Sequence, residues 1–341
     1  MNSNPLLSRV ADSLYWIGRY IERADNVARF MEVNLQMMLD LPAENTGQWQ
    51  ALVHTSGDNQ MFRERYGAAT QENVVRFLVF DRENPNSIAI CVNVARENAR
   101  SVRDTISSEM WEQVNRMYLL INSSPSTLAG DALPEFFHRV RTECHLFQGL
   151  TDATMSHNEA WNFLRLGRKL ERADKTTRIL DVKYYMLLPS PSDIGSAYDD
   201  VQWAAVLKSV SGFEMYRKRY GRIAPDRIVE FLLMDREFPR AVHYCINCAD
   251  ECLHAITGIP PGGFSCPSEQ RLGLLRSELH YSHVKAILAS GLHEFLDALQ
   301  VKMNRIDTAI LEDFFAVRPE SQHDTQHDSH AAARSTGAMQ R

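Results

Sequence analysis

The sequence predicts an all-α protein, and three observations carry that prediction. Apolar residues recur at alternating steps of three and four, the period of a helix with one buried face. Alternation at steps of two, the mark of a half-buried strand, is scarce. Two long segments also repeat one another with the helical period intact, as expected of a duplicated helical unit.

The first element shows the pattern at its clearest. Leu14, Ile17, Ile21, Ala24, Ala28 and Met31 form one apolar seam, which suits an amphipathic helix. No proline interrupts Leu7 to Leu41 and Pro42 closes the run, so a helix of about eight turns is expected. The seam returns 149 positions later as Phe163, Leu166, Leu170, Ala173, Thr177 and Leu180, and GRYIERADNVAR (Gly18 to Arg29) is answered by GRKLERADKTTR (Gly167 to Arg178). A second block repeats at an offset of 154. RERYG (Arg63 to Gly67) matches RKRYG (Arg217 to Gly221), and VVRFLVFDRENP (Val74 to Pro85) matches IVEFLLMDREFP (Ile228 to Pro239). Trp49 pairs with Trp203 and Cys91 with Cys245, and Glu135-Phe136 is echoed by Glu294-Phe295.

Each unit then reads as a long helix, a helix-rich connection, a helix ending at Asp-Arg-Glu, another long helix and a closing helix. Pro85 and Pro239 are expected in the first turn of the helix that follows. The helix from Asn86 is expected to run on through ARENARSVRDTISSEMWEQVNRMYLL, whereas its counterpart must break at TGIPPGGFSCP (Thr257 to Pro267). The expected fold is thus a pseudo-symmetric helical bundle. Its first repeat spans residues 1–152 and its second, packed on the first, 153–318. A polar tail, 319–341, is expected to be disordered. The stretch LPSPSDIGSAYD (Leu188 to Asp199) is the nearest approach to a linker.

Bulk properties exclude several classes. With 341 residues, 44% hydrophobic and 23% charged, the chain is ordinary for a globular protein with a core. A net charge of −6 argues against a general nucleic-acid binder. No run of about 18 apolar residues suggests a membrane span. The N-terminal MNSNPLLSRVADSLYW lacks the pattern of a signal peptide, and six cysteines in a chain of this length fit a reducing cytosol.

The chemistry-bearing words are few. Gly18, Glu22, Asp25 and Arg29 fall at steps of four, three and four, one stripe of the first helix, with Arg19 and Arg23 further round. The second copy repeats these charges as Arg168, Glu171, Arg172, Asp174 and Arg178. Two readings fit. Paired helices could gather the carboxylates into a polar site able to hold a ligand or move protons. Alternatively, Arg19–Glu22 and Asp25–Arg29 are ordinary intrahelical pairs, worth ~0.2–0.5 kcal/mol each when solvated. Since all five charges match between the copies, buried or interfacial ion networks are favoured over a solvated face. At the corners Asp81-Arg82-Glu83 and Asp235-Arg236-Glu237, an acidic residue is expected to cap the next helix and the arginine to clamp the turn, against the alternative of an anion site at a helix start. Arg63, Arg65, Arg217 and Arg219 could grip a phosphate or carboxylate, or simply cover a surface.

Metal ligation has little support. Of the paired Glu-x-x-His motifs of a di-metal bundle, only Glu251 to His254 fits, and its counterpart is Glu97 to Arg100. Cys245, Cys248 and Cys252 share a helix face and are expected as core residues, while His323, His327 and His330 in the tail could bind a metal adventitiously. No phosphate-binding glycine loop is present, since PPGG (Pro260 to Gly263) lacks both the lysine and the strand.

The words LSRVADSLYWIGRYIERADNVAR, DRENPNSI and ARENARSVRDTISSEMWEQVN resemble the alpha-E family, a bacterial all-helical domain, over roughly Leu7 to Phe315. Genes of such families typically sit beside a circularly permuted ATP-grasp protein and a transglutaminase-like peptidase. The resemblance implies a role in an ATP-dependent peptide-modifying or amide-forming system. It carries over Arg19, Glu22, Arg23, Asp25 and Arg29; Arg82 and Glu83; and Arg96, Glu97, Asn98, Arg100 and Arg103. In the second copy Arg96 becomes Asp250 and Arg100 becomes His254. The expected function is a non-catalytic or co-catalytic cytoplasmic partner of an ATP-grasp carboxylate–amine ligase, binding the ligase or an acceptor peptide through the charged faces of the first long helices. No cofactor is expected on this chain, with ATP and Mg²⁺ held by the ligase. No nucleic acid or membrane partner is expected, and the oligomeric state is left open. The alternatives are a helical-bundle enzyme acting on a peptide or amino acid through the Glu, Arg and Asp residues, and a pure scaffold.

Overall fold

A computed structural model describes residues 6–40, 47–125, 128, 130, 132–185 and 196–316. Among these residues the chain is helical and contains no strand. The helices up to residue 154 are α1 (Ser8–Asp40), α2 (Gly47–Ser56), α3 (Asn59–Tyr66), α4 (Gln71–Val75, continued by a π-helical turn Arg76–Phe80), α5 (Ile88–Ser101), α6 (Ser108–Ser123) and α7 (Ala132–Thr154). There follow α8 (Glu159–Tyr185), α9 (Ala197–Ser209), α10 (Phe213–Tyr220), α11 (Pro225–Met234), α12 (Val242–Thr257), α13 (Pro267–Tyr281), α14 (Val284–Ser290) and α15 (Leu292–Ile310, continued by a π-helical turn Leu311–Phe315). The stop at Pro42, the Leu188–Ile194 stretch and the tail histidines lie outside the described residues.

Two long helices, α1 and α8, form the spine. Their seams are buried as the period requires: Leu14, Ile17, Ala24 and Met31 are fully enclosed, as are Leu166, Ala173, Thr177 and Leu180. The core divides into two clusters. One gathers the α1 seam with Trp49, Phe62, Phe77, Val92 and Phe137, and the other gathers the α8 seam with Trp203, Tyr216, Phe231, Ile246 and Leu296. Their opposite faces meet each other, so both helices are buried nearly all round.

The spine helices run parallel. Gly18 abuts Leu164 and Arg168, Arg23 reaches Glu171, and Phe30 and Asn34 share a cavity with Ile179 and Lys183. Backbone touches backbone where they cross. A Cβ on Gly18 would overlap the Leu164 carbonyl oxygen and lie 3.0 Å from the Arg168 nitrogen; one on Gly167 would overlap the Tyr15 carbonyl oxygen. Glycine is what permits this approach.

Several local expectations are corrected. The helix after Asn86 does not continue to Leu120: α5 ends at Ser101, and α6 restarts where the Ser107 hydroxyl accepts from the Met110 amide, a side-chain cap that starts a new helix. Pro85 and Pro239 stand in the turns before α5 and α12, not in their first turns. Asp81 and Asp235 do not cap those helices either. Ser87 caps α5, while the aspartates accept from the amides of Glu83 and Glu237 and so close the corner. The clamps on those corners are Arg65 on Asp81, at 3.0 Å, and Arg219 on Asp235, while Arg82, Glu83, Arg236 and Glu237 are exposed. Thus the second arginine of each RxRYG word holds a carboxylate of the chain itself, while Arg63 and Arg217 are exposed.

One turn is matched in both halves and strained in one. Gly57 has φ +88°, and Ser211, 154 positions on, has φ +50°. A Cβ on Gly57 would lie 3.4 Å from the Arg178 guanidinium. Gly57→Ala is expected to cost about 1–2 kcal/mol, the usual penalty of a left-handed alanine, read as a lower urea midpoint with unchanged slope.

Candidate functional site

The charges of the two Glu-Arg pairs meet between α1 and α8, and they exchange partners. Arg23 donates to Glu171 from Nε at 2.8 Å and Nη2 at 2.9 Å. Arg172 donates to Glu22 from Nε at 2.9 Å and Nη2 at 2.7 Å. Each carboxylate is therefore held in a fork by the guanidinium of the other helix, the strongest geometry for this pair. Both glutamates are 0% exposed.

A second cation completes each fork. Arg19 donates to Glu171 from Nε at 2.7 Å and, through Nη1, to Asp307 on α15 at 2.7 Å and to the Tyr15 hydroxyl at 2.9 Å. On the other side Arg240 donates to Glu22 at 2.8 Å, to Asn26 at 2.9 Å and to Asp25 at 2.5 Å. Asp25 also receives Arg29 at 2.6 Å, and Arg29 reaches Ser211. Asp174 receives Arg178 at 2.9 Å. Arg19 does not pair with Glu22, as its spacing suggested, because Glu22 faces the other helix.

Burial pushes these carboxyl groups up, but neighbouring cations more than offset it. Arg172 and then Arg240 bring Glu22 below the usual glutamate range, and Arg23, Arg19 and Lys175 hold Glu171 well below it. Asp25 and Asp174 are likewise lowered, the first by Arg29 and Arg240, the second by Lys175 and Arg178. A carboxylate in this state has its lone pairs committed to guanidinium donors and makes a poor base. Thiol chemistry fares no better, since burial pushes Cys91 and Cys252 up to about 12 and Cys245 up to about 11.

The structure separates the remaining candidates from this network. Arg96 donates to Asn115 and Glu97 and lies over Tyr118, with Arg100 on Glu97 at 2.8 Å. Of the counterparts, Asp250 binds Arg276 at 2.9 Å and has His254 3.6 Å away. Neither group touches the Glu-Arg pairs. The corners contribute in an unforeseen way, through the residue after each proline: Arg240 binds Glu22, and Asn86 accepts from Arg23 at 2.7 Å. Sequence reading also missed Gly18 and Gly167 as the contact point, although both stand in the repeated words; Asp307 and Tyr15 carried no signal. The charged faces expected to meet a partner are turned inward.

Beyond the network, a cavity of about 60 Å³ lies between the C-terminal halves of the spine helices. Its walls are apolar and matched, Phe30 with Ile179 and Val33 with Val182, while Lys183 at its edge binds Asp199 and Gln202. No cluster of three or more His, Cys, Asp or Glu suited to a metal occurs among the described residues. Nor, among them, is any helix long and apolar enough to cross a membrane.

The chain is 23% identical over 315 residues to an uncharacterized protein of Mycobacterium bovis and to an uncharacterized protein of Mycobacterium tuberculosis. In each case the match covers 85% of this chain but 34% of the relative, so the chain spans about a third of the length of these relatives. No solved structure matches. Residues 6–315 match the model of a family described as a predicted alpha-helical domain with a conserved ER motif, and two Glu-Arg pairs are what interlock the spine. The chain belongs to the Alpha-E family.

Proposed function

We propose that this chain is a non-catalytic, cytoplasmic partner of a circularly permuted ATP-grasp protein, a carboxylate–amine ligase, and binds the ligase or its acceptor peptide. One observation carries the non-catalytic part: every carboxylate of the Glu-Arg words is buried and held by two or more cations. Such a network rigidifies a bundle and offers a substrate neither a proton nor a free lone pair. ATP and Mg²⁺ then belong to the partner. The exchange of forks between matched helices supports an origin by internal duplication. Six free thiols, five of them buried, agree with a reducing compartment.

The test is co-purification with the ATP-grasp protein, followed by ATP turnover of each chain alone and of the mixture. A stable complex whose turnover needs both chains is the expected result. Absence of a complex, with turnover unchanged by this chain, overturns the reading. A variant pair separates the enzymatic alternative. Glu22→Gln with Glu171→Gln is expected to lower the melting temperature; loss of turnover at wild-type stability would restore a catalytic role to these carboxylates.

A further inference from the structure

α8 carries Arg165, Arg168, Lys169 and Arg172, and that spacing lays all four side chains along one face of the helix. The matched face of α1 carries Trp16, Arg19, Tyr20 and Arg23, two cations and two aromatic rings. The counter-charges differ as well. On α1, both arginines bind Glu171, and Arg19 also has Asp307 at 2.7 Å. On α8, Arg172 has Glu22, but Arg168 makes no hydrogen bond among the described residues. The carboxylate beside it, Asp152, is 3.6 Å away, and its enclosed Nε faces no acceptor. Among the described residues, Lys169, 5% exposed, has no carboxylate within 4 Å; the Tyr244 ring lies 4.6 Å from its ammonium. Arg165 approaches Glu251 no closer than 3.6 Å.

A missing acid explains the difference. The closing helices match at an offset of 159, set by Glu135 and Glu294, so Gln148 of α7 stands where α15 has Asp307. Its amide binds Glu22 at 3.2 Å and Arg172 at 3.3 Å, which leaves Arg168 unanswered. Burying a cation without a counter-charge is costly. Burial lowers Arg168 and Lys169 below their ordinary values, and the charge of Arg172 adds to it. A fold that keeps two such groups side by side has a use for them.

We infer that this face of α8 is a binding site for a carboxylate-bearing ligand, an acidic side chain or the C-terminus of a peptide, received by Arg168 and Lys169 as Asp307 is received by Arg19. A carboxylate fits better than a phosphate for two reasons. The chain's own solution at the matched place is a carboxylate, and the half-exposed acids Asp152 and Glu251 form a rim that repels a dianion more than a monoanion. Contacts of 3.6 Å are too long for hydrogen bonds, so those acids yield to a ligand that chelates at closer range. The site does not depend on the ligase reading and can hold if no such partner exists.

The experiment is calorimetric titration of the full chain with the tripeptide Ala-Ala-Glu, with its fully amidated analogue Ala-Ala-Gln-NH₂, and with inorganic phosphate, at equal ionic strength. Saturable binding of the acid peptide and none of the amide is expected. Lys169→Met is expected to weaken binding at least tenfold while leaving the melting temperature of the free protein unchanged or raised, because its ammonium has no carboxylate to lose and the methionine side chain can keep the contact with the Tyr244 ring. Arg168→Gln should weaken binding to a similar degree. Equal binding of acid and amide peptides, no binding of either, or phosphate binding tighter than the acid peptide each overturns the assignment. So does a Lys169→Met protein that melts earlier yet binds the peptide as the wild type does.

Discussion

Alanine at Gly18 or Gly167 is expected to destabilise the protein by about 3 kcal/mol, against the usual sense of the substitution. In a helix interior, glycine to alanine ordinarily gains up to ~1 kcal/mol from reduced chain entropy and better propensity. Here the added carbon meets the Leu164 or the Tyr15 carbonyl, and both are backbone atoms of a packed helix. No rotamer change relieves that overlap, so the spine helices must move apart. Overpacking of this kind costs ~1–3 kcal/mol when side chains can yield and more when they cannot. For a chain of this size the melting temperature should fall by roughly 4 °C. Separation of the helices also lengthens the forks above the crossing, which adds to the loss. Gly149→Ala supplies the control, because that helical glycine has nothing within 4 Å of a built Cβ. It should melt slightly later than the wild type. A Gly18→Ala protein that behaves like Gly149→Ala would falsify the close approach.

Glu22→Gln is the second large effect, about 3–5 kcal/mol, the cost of removing one partner of a buried ion pair. The loss arises from what remains: Arg172 and Arg240 both stay buried, and a neutral amide can accept from them but cannot balance their charge. Glu171→Gln should behave alike through Arg19 and Arg23. The same network sets a pH dependence whose sign follows from the lowered carboxyl groups. A carboxylate held below its unfolded value of about 4 contributes stability that is complete above that value and is lost as pH falls through the folded one. Glu22, Glu171, Asp25 and Asp174 all lie on that side, so the urea midpoint should hold from pH 7 to about 5 and drop steeply below 4. Glu22→Gln should start lower at pH 7 and show a shallower acid limb. A flat wild-type profile down to pH 3 is the result that would sink the assignment of these carboxylates to a structural network.

Much of this architecture is legible along the chain, because local periodicity reports burial. The α1 seam from Leu14 to Met31 and the α8 seam from Phe163 to Leu180 fall where the step of three and four places them. The glycine turns after Tyr66 and Tyr220 are real, with φ +69° and +78° at Gly67 and Gly221. Misreadings cluster where two local signals compete. The run from Asn86 to Leu120 has helical period throughout, yet the Ser107 hydroxyl takes the Met110 amide and starts a new helix. At the corners the Asp-Arg-Glu words looked self-contained, but the clamping guanidinium comes from the neighbouring α3 or α10.

The sequence by itself determined that the chain is helical, which stripe of each long helix is apolar, and that five charges recur between two such helices. It did not determine who answers whom. Arg19 stands three residues from Glu22, near enough to pair within one helix, yet binds Glu171 152 positions away. Only the tertiary structure decided this, because the choice depends on how closely two backbones approach and which faces they turn to each other. Glycine at 18 and 167 sets that distance, and the parallel crossing aims each glutamate at the other helix's arginine. Arg240 and Asp307 enter for the same reason: ion pairing in a desolvated interior is selected by geometry in space, and spacing along the chain carries no record of it.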